Sequence, residues 1–137
     1  MYKKILIPMA LDHGIAGTAL NVARALKSEG GEITAVHVYA QPEGSVSAYL
    51  DESVVRAAFG DAQALLNERI DGQPDVTGVL RKGHTARTIV DVANEIAADC
   101  IVIGSHKPGL ADYLLGSTSS WVIRHAPCAV HVLRQQN

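Results

Sequence analysis

The sequence predicts an α/β fold in which helices cover both faces of a five-stranded parallel sheet. Five short apolar segments alternate with four segments whose apolar residues recur every three or four positions. Parallel strands need crossover connections, and crossover helices pack on the faces of the sheet. With 137 residues, 47% of them apolar and 19% charged, the chain matches one folded domain over residues 1–137.

The first two strands and the first helix occupy the N-terminal third of the chain. Residues 4–10 form a continuous apolar run, which suits a buried strand. A helical pattern follows and is predicted to end at Gly30-Gly31, because glycine commonly terminates helices. A second strand is predicted over Ile33–Tyr39, and a loop over residues 41–48.

The rest of the chain continues the alternation of helices and strands. The predicted elements are a helix over residues 51–70, a strand over 76–81, a helix with its inner face at 89–96, a strand over 100–104, a helix over 117–125 and a strand over 129–133. A strand order of 3-2-1-4-5 brings the carboxyl ends of strands one and four together where the winding reverses. Doubly wound sheets bind ligands at this position.

Composition and charge exclude several classes of partner. The net charge is −2, the basic residues are scattered and only 4% of residues are aromatic, so nucleic acid is not an expected partner. Neither a secretory signal nor a run long enough for membrane insertion is present. Cys100 and Cys128 lack Cys-x-x-Cys spacing and are predicted to be buried thiols, as in a reducing compartment. These observations predict a cytoplasmic protein.

The segment after strand four carries the residues best suited to bind a phosphate group. Gly104 follows a buried strand and allows backbone to approach a ligand, while Gly116 precedes a helix whose first N–H groups can face an anion. Ser117 and Thr118 could cap that helix, bind phosphate oxygens, or do both. Lys107 could be a solvated surface lysine or a positive charge over a polyphosphate.

Other phosphate and catalytic chemistries do not fit. The P-loop spacing fails because Leu110 follows Gly109, and no glycine series follows strand one. A triad of Ser105, His106 and Asp112 lacks the Gly-x-Ser-x-Gly elbow, and the histidines lack metal-ligand spacing. We therefore expect no catalytic residue and no metal site.

Five landmarks, in order along essentially the whole chain, resemble the universal stress proteins. They are Lys3-Lys4-Ile5-Leu6-Ile7-Pro8, Val36-His37-Val38, Gly83, Gly104-Ser105-His106 with Leu114-Leu115-Gly116-Ser117, and Arg124-His125-Ala126-Pro127-Cys128. The resemblance implies a five-stranded, doubly wound domain, usually a homodimer. It also implies an ATP site in those members that carry a glycine, two residues, a second glycine, nine residues, a third glycine and then Ser or Thr.

Family roles are transferred to individual positions of this sequence. The resemblance implies phosphate contacts at Gly116, Ser117 and Thr118, a ribose contact at Gly104 and an adenine pocket at Val38. We also expect Pro8, Met9 and Ala10 at the end of strand one, and His106, Lys107 and Gly109 in the loop, to belong to the ATP site. Any Mg²⁺ would arrive with ATP, held mainly by its phosphates.

Two departures from the family pattern leave two functions open. Lys107 replaces the second glycine and the spacing from Gly104 to Gly116 is one residue short, although Gly109 can restore backbone freedom. Ala10 stands where ATP-binding members have an aspartate. The protein is interpreted either as an ATP-binding regulatory module with little or no hydrolysis, or as a stress protein that binds no nucleotide and acts by protein–protein interaction.

The expected edge position of the last strand indicates an oligomer. Residues 129–133 would lie at a sheet edge, where an exposed apolar strand invites aggregation unless something covers it. A twofold partner using the same strand would cover that edge, and the family resemblance implies such a homodimer. A regulatory module also implies a regulated protein partner, whose identity the sequence does not indicate.

Overall fold

The structure is a computed structural model that describes residues 1–11, 17–40, 51–105 and 115–134. The predicted loop at 41–48 and most of the loop after strand four lie outside these ranges. The elements in chain order are β1 (Tyr2–Pro8), α1 (Gly17–Leu26), β2 (Lys27–Tyr39), α2 (Glu52–Ile70), β3 (Val76–Lys82), α3 (Thr85–Glu95), β4 (Cys100–Gly104), α4 (Ser117–His125) and β5 (Ala129–Leu133).

The five strands form one parallel sheet in the order β3-β2-β1-β4-β5. This confirms the predicted fold class and strand order. β1 is central and pairs with β2 on one side and with β4 on the other. β5 is an edge strand, as the sequence predicts.

Two apolar clusters fill the spaces between the sheet and its helices. Ile5 and Ile7 of β1 belong to the cluster beneath α1 and α2, while Leu6 belongs to the cluster beneath α3 and α4. Successive side chains of a strand point to opposite faces, so a continuous apolar run is needed to fill both clusters. The apolar stripes of the helices complete each cluster, for example through Leu66 of α2 and Val122 of α4.

The boundary between the first helix and the second strand was predicted wrongly. α1 ends at Leu26 rather than at Gly30-Gly31, and β2 already begins at Lys27. β1 likewise starts at Tyr2 and ends at Pro8 instead of spanning 4–10, and Tyr2 pairs with Lys27. The register between β1 and β2 shifts after this pair, and Gly30 accommodates the irregular stretch with a φ of 77°, a left-handed conformation that favours glycine.

Asp99 joins the start of β1 to the start of β4. Its carboxylate accepts hydrogen bonds from the backbone N–H groups of Lys3 and Lys4, each over 2.9 Å, and its own N–H donates to the Lys4 carbonyl over 2.9 Å. Burial by itself would raise the pKa of this carboxyl, but the two backbone donors outweigh it, and the pKa of Asp99 lies below its ordinary value. The ionised carboxylate therefore stabilises the folded state.

We predict that Asp99→Asn lowers the free energy of unfolding at pH 7 by about 1 kcal/mol, since one of the two N–H groups loses its acceptor. A group with a depressed folded pKa stabilises the fold above its unfolded pKa of about 4, and that contribution is lost as the pH falls through the folded value. Urea unfolding of the wild type and of Asp99→Asn should thus show a difference in the free energy of unfolding at pH 7, and this difference should shrink below about pH 4.

Asp61→Asn provides the matched control, because Asp61 is an exposed carboxylate on α2. Its effect on stability should be small at every pH. A difference for Asp99→Asn that stays the same from pH 7 to pH 3 would contradict a role for the ionised carboxylate.

Candidate functional site

A cleft of about 650 Å³ opens at the carboxyl ends of the central strands. It lies where the strand order reverses, between the ends of β1, β2 and β4 and the first residues of α3 and α4. The described residues that line it are Pro8, Met9, Ala10, Val36, His37, Val38, Thr85, Ile89, Ile103, Gly104, Gly116, Ser117, Thr118 and Ser119. A doubly wound sheet forms its ligand site at this reversal.

The cleft brings together the expected site residues that the structure describes. Eight of them line it: Pro8, Met9, Ala10, Val38, Gly104, Gly116, Ser117 and Thr118. The other three, His106, Lys107 and Gly109, lie outside the described residues. Residues from four separate parts of the sequence therefore line one cleft.

α4 presents an uncapped N-terminus to this cleft. Gly116 is its N-cap residue, and no side chain makes a capping hydrogen bond there. Ser117 and Thr118, whose hydroxyls could have capped the helix, instead line the cleft. The first N–H groups of a helix and the positive end of its dipole attract anions, so this end of the cleft suits a phosphate.

Two hydrogen bonds fix the start of α4 against the end of β4. The N–H of Gly116 donates to the carbonyl of Ser105 over 2.8 Å. The buried hydroxyl of Ser119 donates to the carbonyl of Gly104. Gly104 and Gly116, which are twelve positions apart in sequence, are thereby held on neighbouring sides of the cleft.

The cleft also has an apolar, uncharged wall. Val36, Val38, Ile89 and Ile103 are all buried residues that line it. Among the described lining residues there is no carboxylate and no lysine or arginine, and His37 is the one titratable side chain. An apolar wall suits a flat aromatic ring, and the absence of carboxylates from these residues avoids repulsion of an anion.

Sequence reasoning missed the contribution of α3 to this site. Thr85 and Ile89 line the cleft, although Ile89 was assigned only to the inner face of a helix. Gly83 directs the chain from β3 into α3 with a φ of 140°, and a Cβ there would lie 2.8 Å from Oγ1 of Thr88. The sequence marks this glycine as a landmark of the chain, but only the fold shows that the helix it introduces faces the cleft.

Neither the cysteines nor Ser105 provide an activated nucleophile. Cys100 is buried as predicted, whereas Cys128 is half-buried, so the prediction of two buried thiols is wrong for Cys128. Burial raises the pKa of Cys100 to about 11, with a smaller contribution from Cys128, and burial also raises the pKa of Cys128. Both thiols stay protonated near neutral pH. The Ser105 hydroxyl is buried and has no hydrogen-bond partner among the described residues.

The fold and the cleft define a class of protein: a doubly wound α/β protein with an anion-compatible cleft at the reversal of strand order. The model of the universal stress protein family matches residues 1–134. The chain belongs to the universal stress protein family, as its landmarks indicated. Among the residues that the structure describes, no helix is both long and apolar enough to cross a membrane.

Several relatives match nearly the whole chain. Universal stress protein G of Shigella flexneri is 30% identical over 145 residues, which cover 98% of this chain and all of the relative. The solved structure of the hypothetical protein MJ0577 has a TM-score of 0.78 at 28% identity and covers 100% of this chain and 99% of its own. The structure of universal stress protein UspA from Lactobacillus plantarum has a TM-score of 0.68 at 25% identity. The match covers 97% of this chain and 98% of the UspA chain.

Two more distant structures of the family contain adenine nucleotides. One is a universal stress protein in complex with cAMP, with a TM-score of 0.59, 18% identity and 98% coverage of both chains. The other is a family protein from Arabidopsis thaliana with AMP bound, with a TM-score of 0.60, 14% identity and coverage of 98% of this chain and 92% of its own. At these identities the likeness shows the fold alone.

We predict that Ser119→Ala lowers the free energy of unfolding by about 1 kcal/mol, because the Gly104 carbonyl loses its side-chain donor. Ser120→Ala is the matched control: it makes the same change one position later, where the helix gains up to about 0.5 kcal/mol from the higher propensity of alanine. In urea unfolding, the free energy of unfolding should therefore fall below that of the wild type for Ser119→Ala and rise slightly above it for Ser120→Ala. Equal midpoints would mean that the Ser119 hydroxyl contributes nothing to stability.

Proposed function

We propose that this protein is an ATP-binding regulatory module that hydrolyses ATP slowly or not at all. The observation that carries the proposal is the uncapped N-terminus of α4, which opens into a cleft whose described lining contains no carboxylate. A helix end of this kind attracts the negative charge of a phosphate chain. The apolar half of the same cleft offers a place for the base.

The apolar wall and the start of α4 favour one orientation of the nucleotide. Adenine would lie against Val36 and Val38, the ribose beside Gly104, and the phosphates at Gly116 and the residues that follow it. Mg²⁺ would enter with ATP on the phosphates, because no group of three potential metal-ligating side chains occurs among the described residues. The cAMP and AMP complexes of distant relatives are consistent with an adenine nucleotide in this fold.

Slow turnover follows from the side chains that line the cleft. Rapid transfer of a phosphoryl group needs a residue that positions or deprotonates the attacking water, together with cations that neutralise the developing charge. The described lining supplies neither a carboxylate nor a lysine or arginine. ATP would therefore act as a bound signal that alters contacts with a regulated protein, in the cytoplasm, rather than as a substrate.

One observation favours the alternative, a stress protein that binds no nucleotide and acts through protein contacts. Ala10 lines the cleft at the end of β1 and brings no side-chain acceptor to an adenine amino group. The loss of one such hydrogen bond costs about 0.5 to 1.5 kcal/mol. Several backbone N–H groups at α4 can offset that loss, which is why we favour ATP binding.

Calorimetric titration with ATP and Mg²⁺ tests the proposal. The wild type should release or absorb heat on binding and should gain thermal stability with nucleotide. Gly116→Val should abolish both effects, because a branched side chain would block access to the helix N-terminus. Its backbone angles, φ −63° and ψ 156°, are ones that valine adopts readily, so the fold should survive.

Gly60→Val serves as the control, since a Cβ at Gly60 on α2 has open space within 4 Å. This variant should bind ATP as the wild type does. If the wild type gives no heat and no thermal shift at millimolar nucleotide, the protein is not an ATP-binding module and the interaction-only function is favoured.

We also propose a homodimer formed through β5. The Leu133 carbonyl accepts a hydrogen bond from the Ser105 N–H over 2.8 Å and so faces β4. Backbone groups alternate in direction along a strand, which turns the N–H and carbonyl of Val132 outward from the edge. A second copy of β5 running antiparallel would satisfy these outward groups and cover the edge.

Sedimentation should give the wild type twice the chain mass at micromolar concentration. Val132→Pro removes an outward N–H without removing a hydrogen bond to β4, so it should yield a folded monomer. A wild-type mass equal to that of the monomer would contradict the dimer.

A further inference from the structure

The edge strand β5 turns two of its residues outward, toward a possible partner strand. The Leu133 carbonyl faces β4, where it accepts a backbone hydrogen bond. Backbone directions alternate along a strand, so His131 faces β4 as well, whereas Val130 and Val132 turn their N–H and carbonyl groups away from the sheet. A second strand can therefore pair with β5 through these two valines.

The outward valines favour one register for an antiparallel copy of β5. In an antiparallel pair, two residues that turn their backbone groups toward each other lie opposite one another and exchange two hydrogen bonds. When the pairing is centred on His131, Val130 lies opposite the partner's Val132, and Val132 lies opposite the partner's Val130. A pairing centred on either valine keeps only one such pair within β5. The register centred on His131 therefore forms the most hydrogen bonds.

This register sets His131 opposite its own copy. The two residues form a non-hydrogen-bonded pair, in which the Cα atoms are about 4.5 Å apart and the side chains approach closely. Leu133 packs against the cluster beneath α1 and α2, and Val130 and Val132 pack against the cluster beneath α3 and α4. Because side chains alternate, the exposed His131 projects from the α1–α2 face. The two imidazoles of the dimer would lie side by side there.

The elements on that face bring no unpaired carboxylate to His131 within the described part of the chain. β4 lies beside it and carries one titratable side chain, Cys100, whose pKa of about 11 keeps the thiol protonated. The one charged residue of α1 is Arg24, which is paired with Asp75 over 2.8 Å. α2 packs on β2 and β3, on the far side of the sheet.

The other charged groups around β5 do not offset a positive charge on His131 either. Arg124 and His125 belong to the last turn of α4, which packs on the opposite face of the sheet. The carboxylate of Asp99, ahead of β4, accepts two hydrogen bonds from backbone N–H groups of β1. Arg134, which follows β5, is itself a cation.

We propose that the two His131 side chains of the β5 dimer face each other and make the dimer sensitive to acid. This inference rests on the proposed homodimer. Histidine ordinarily changes its charge between pH 5 and 8, and like charges directly opposite each other on two strands repel. The dimer therefore binds fewer protons than two separate chains. Association weakens as the pH falls and strengthens as it rises.

Oxidation of cysteine variants tests the register. His131→Cys should form a disulfide between two copies, because Cα atoms about 4.5 Å apart are within the range that a disulfide bridges. Ala129→Cys is the matched control: Ala129 is also exposed and on the same face, but the partner's Leu133 lies opposite it, and the two new cysteines would be about 14 Å apart. The oxidised wild type, with Cys100 and Cys128, should run as a single chain on a denaturing gel.

Sedimentation equilibrium at pH 7.5 and pH 5.0 measures the sensitivity to acid, with EDTA present so that no metal ion bridges the imidazoles. The dimer Kd of the wild type should rise about fourfold at the lower pH, as expected for two exposed unit charges at this separation. His131→Gln cannot titrate and should keep the low Kd at both pH values. His131→Lys is charged at both and should show the high Kd throughout.

His84→Asn is the matched control for the loss of a histidine. His84 is another exposed histidine, at the N-cap of α3, where asparagine is also a preferred residue. Its dimer Kd should rise about fourfold at pH 5.0, as in the wild type.

Failure of the dimer and failure of this inference give different results. A wild type that is monomeric at pH 7.5 overturns both the homodimer and the role of His131, and leaves the test of ATP binding unaffected. If the wild type is a dimer but His131→Cys links no better than Ala129→Cys, the register is different and the inference is wrong. An equal rise in Kd for the wild type and His131→Gln also overturns it.

Discussion

The central position of β1 is the constraint on which the rest of the structure depends. β1 pairs in parallel with β2 through Pro8 and with β4 through Leu6. The connection from β1 to β2 through α1 crosses one face of the sheet, and the connection from β3 to β4 through α3 crosses the other. Asp99 fixes the start of this arrangement by binding two backbone N–H groups of β1. Because the crossovers diverge at the carboxyl end of β1, a cleft remains there.

The chemistry of the cleft comes mainly from backbone groups. Gly104 is exposed, the start of α4 after Gly116 has no side-chain cap, and among the described lining residues His37 is the one with a titratable side chain. A site of this kind depends on side chains that hold the backbone in place: Ser119 binds the Gly104 carbonyl, and His37 binds the Met9 carbonyl. Ser119 and His37 thus hold the backbone that lines the cleft, and neither side chain needs to contact a ligand to do so.

The departures from the family pattern have a consistent physical meaning. In the proposed ATP site, Ala10 brings no side-chain contact to the base but leaves the backbone around Val38 in place. At the phosphate end, Gly116 keeps the start of α4 free of a side-chain cap. Family membership and fold are shown by the whole chain. The choice of ligand depends on a few backbone groups.

The sequence by itself determined the α/β class, the exact bounds of β4, α4 and β5, and the glycines of the cleft, because these depend on local periodicity and on backbone freedom. It misplaced the end of α1, since pairing between Tyr2 and Lys27 overrides the local helix-stop signal at Gly30-Gly31. Only the tertiary structure brought Thr85 of α3 to the cleft and joined His37 to Met9. Those contacts arise from strand order and register, which place residues that are distant in sequence side by side. Such contacts produce no periodic pattern in the sequence from which they could be predicted.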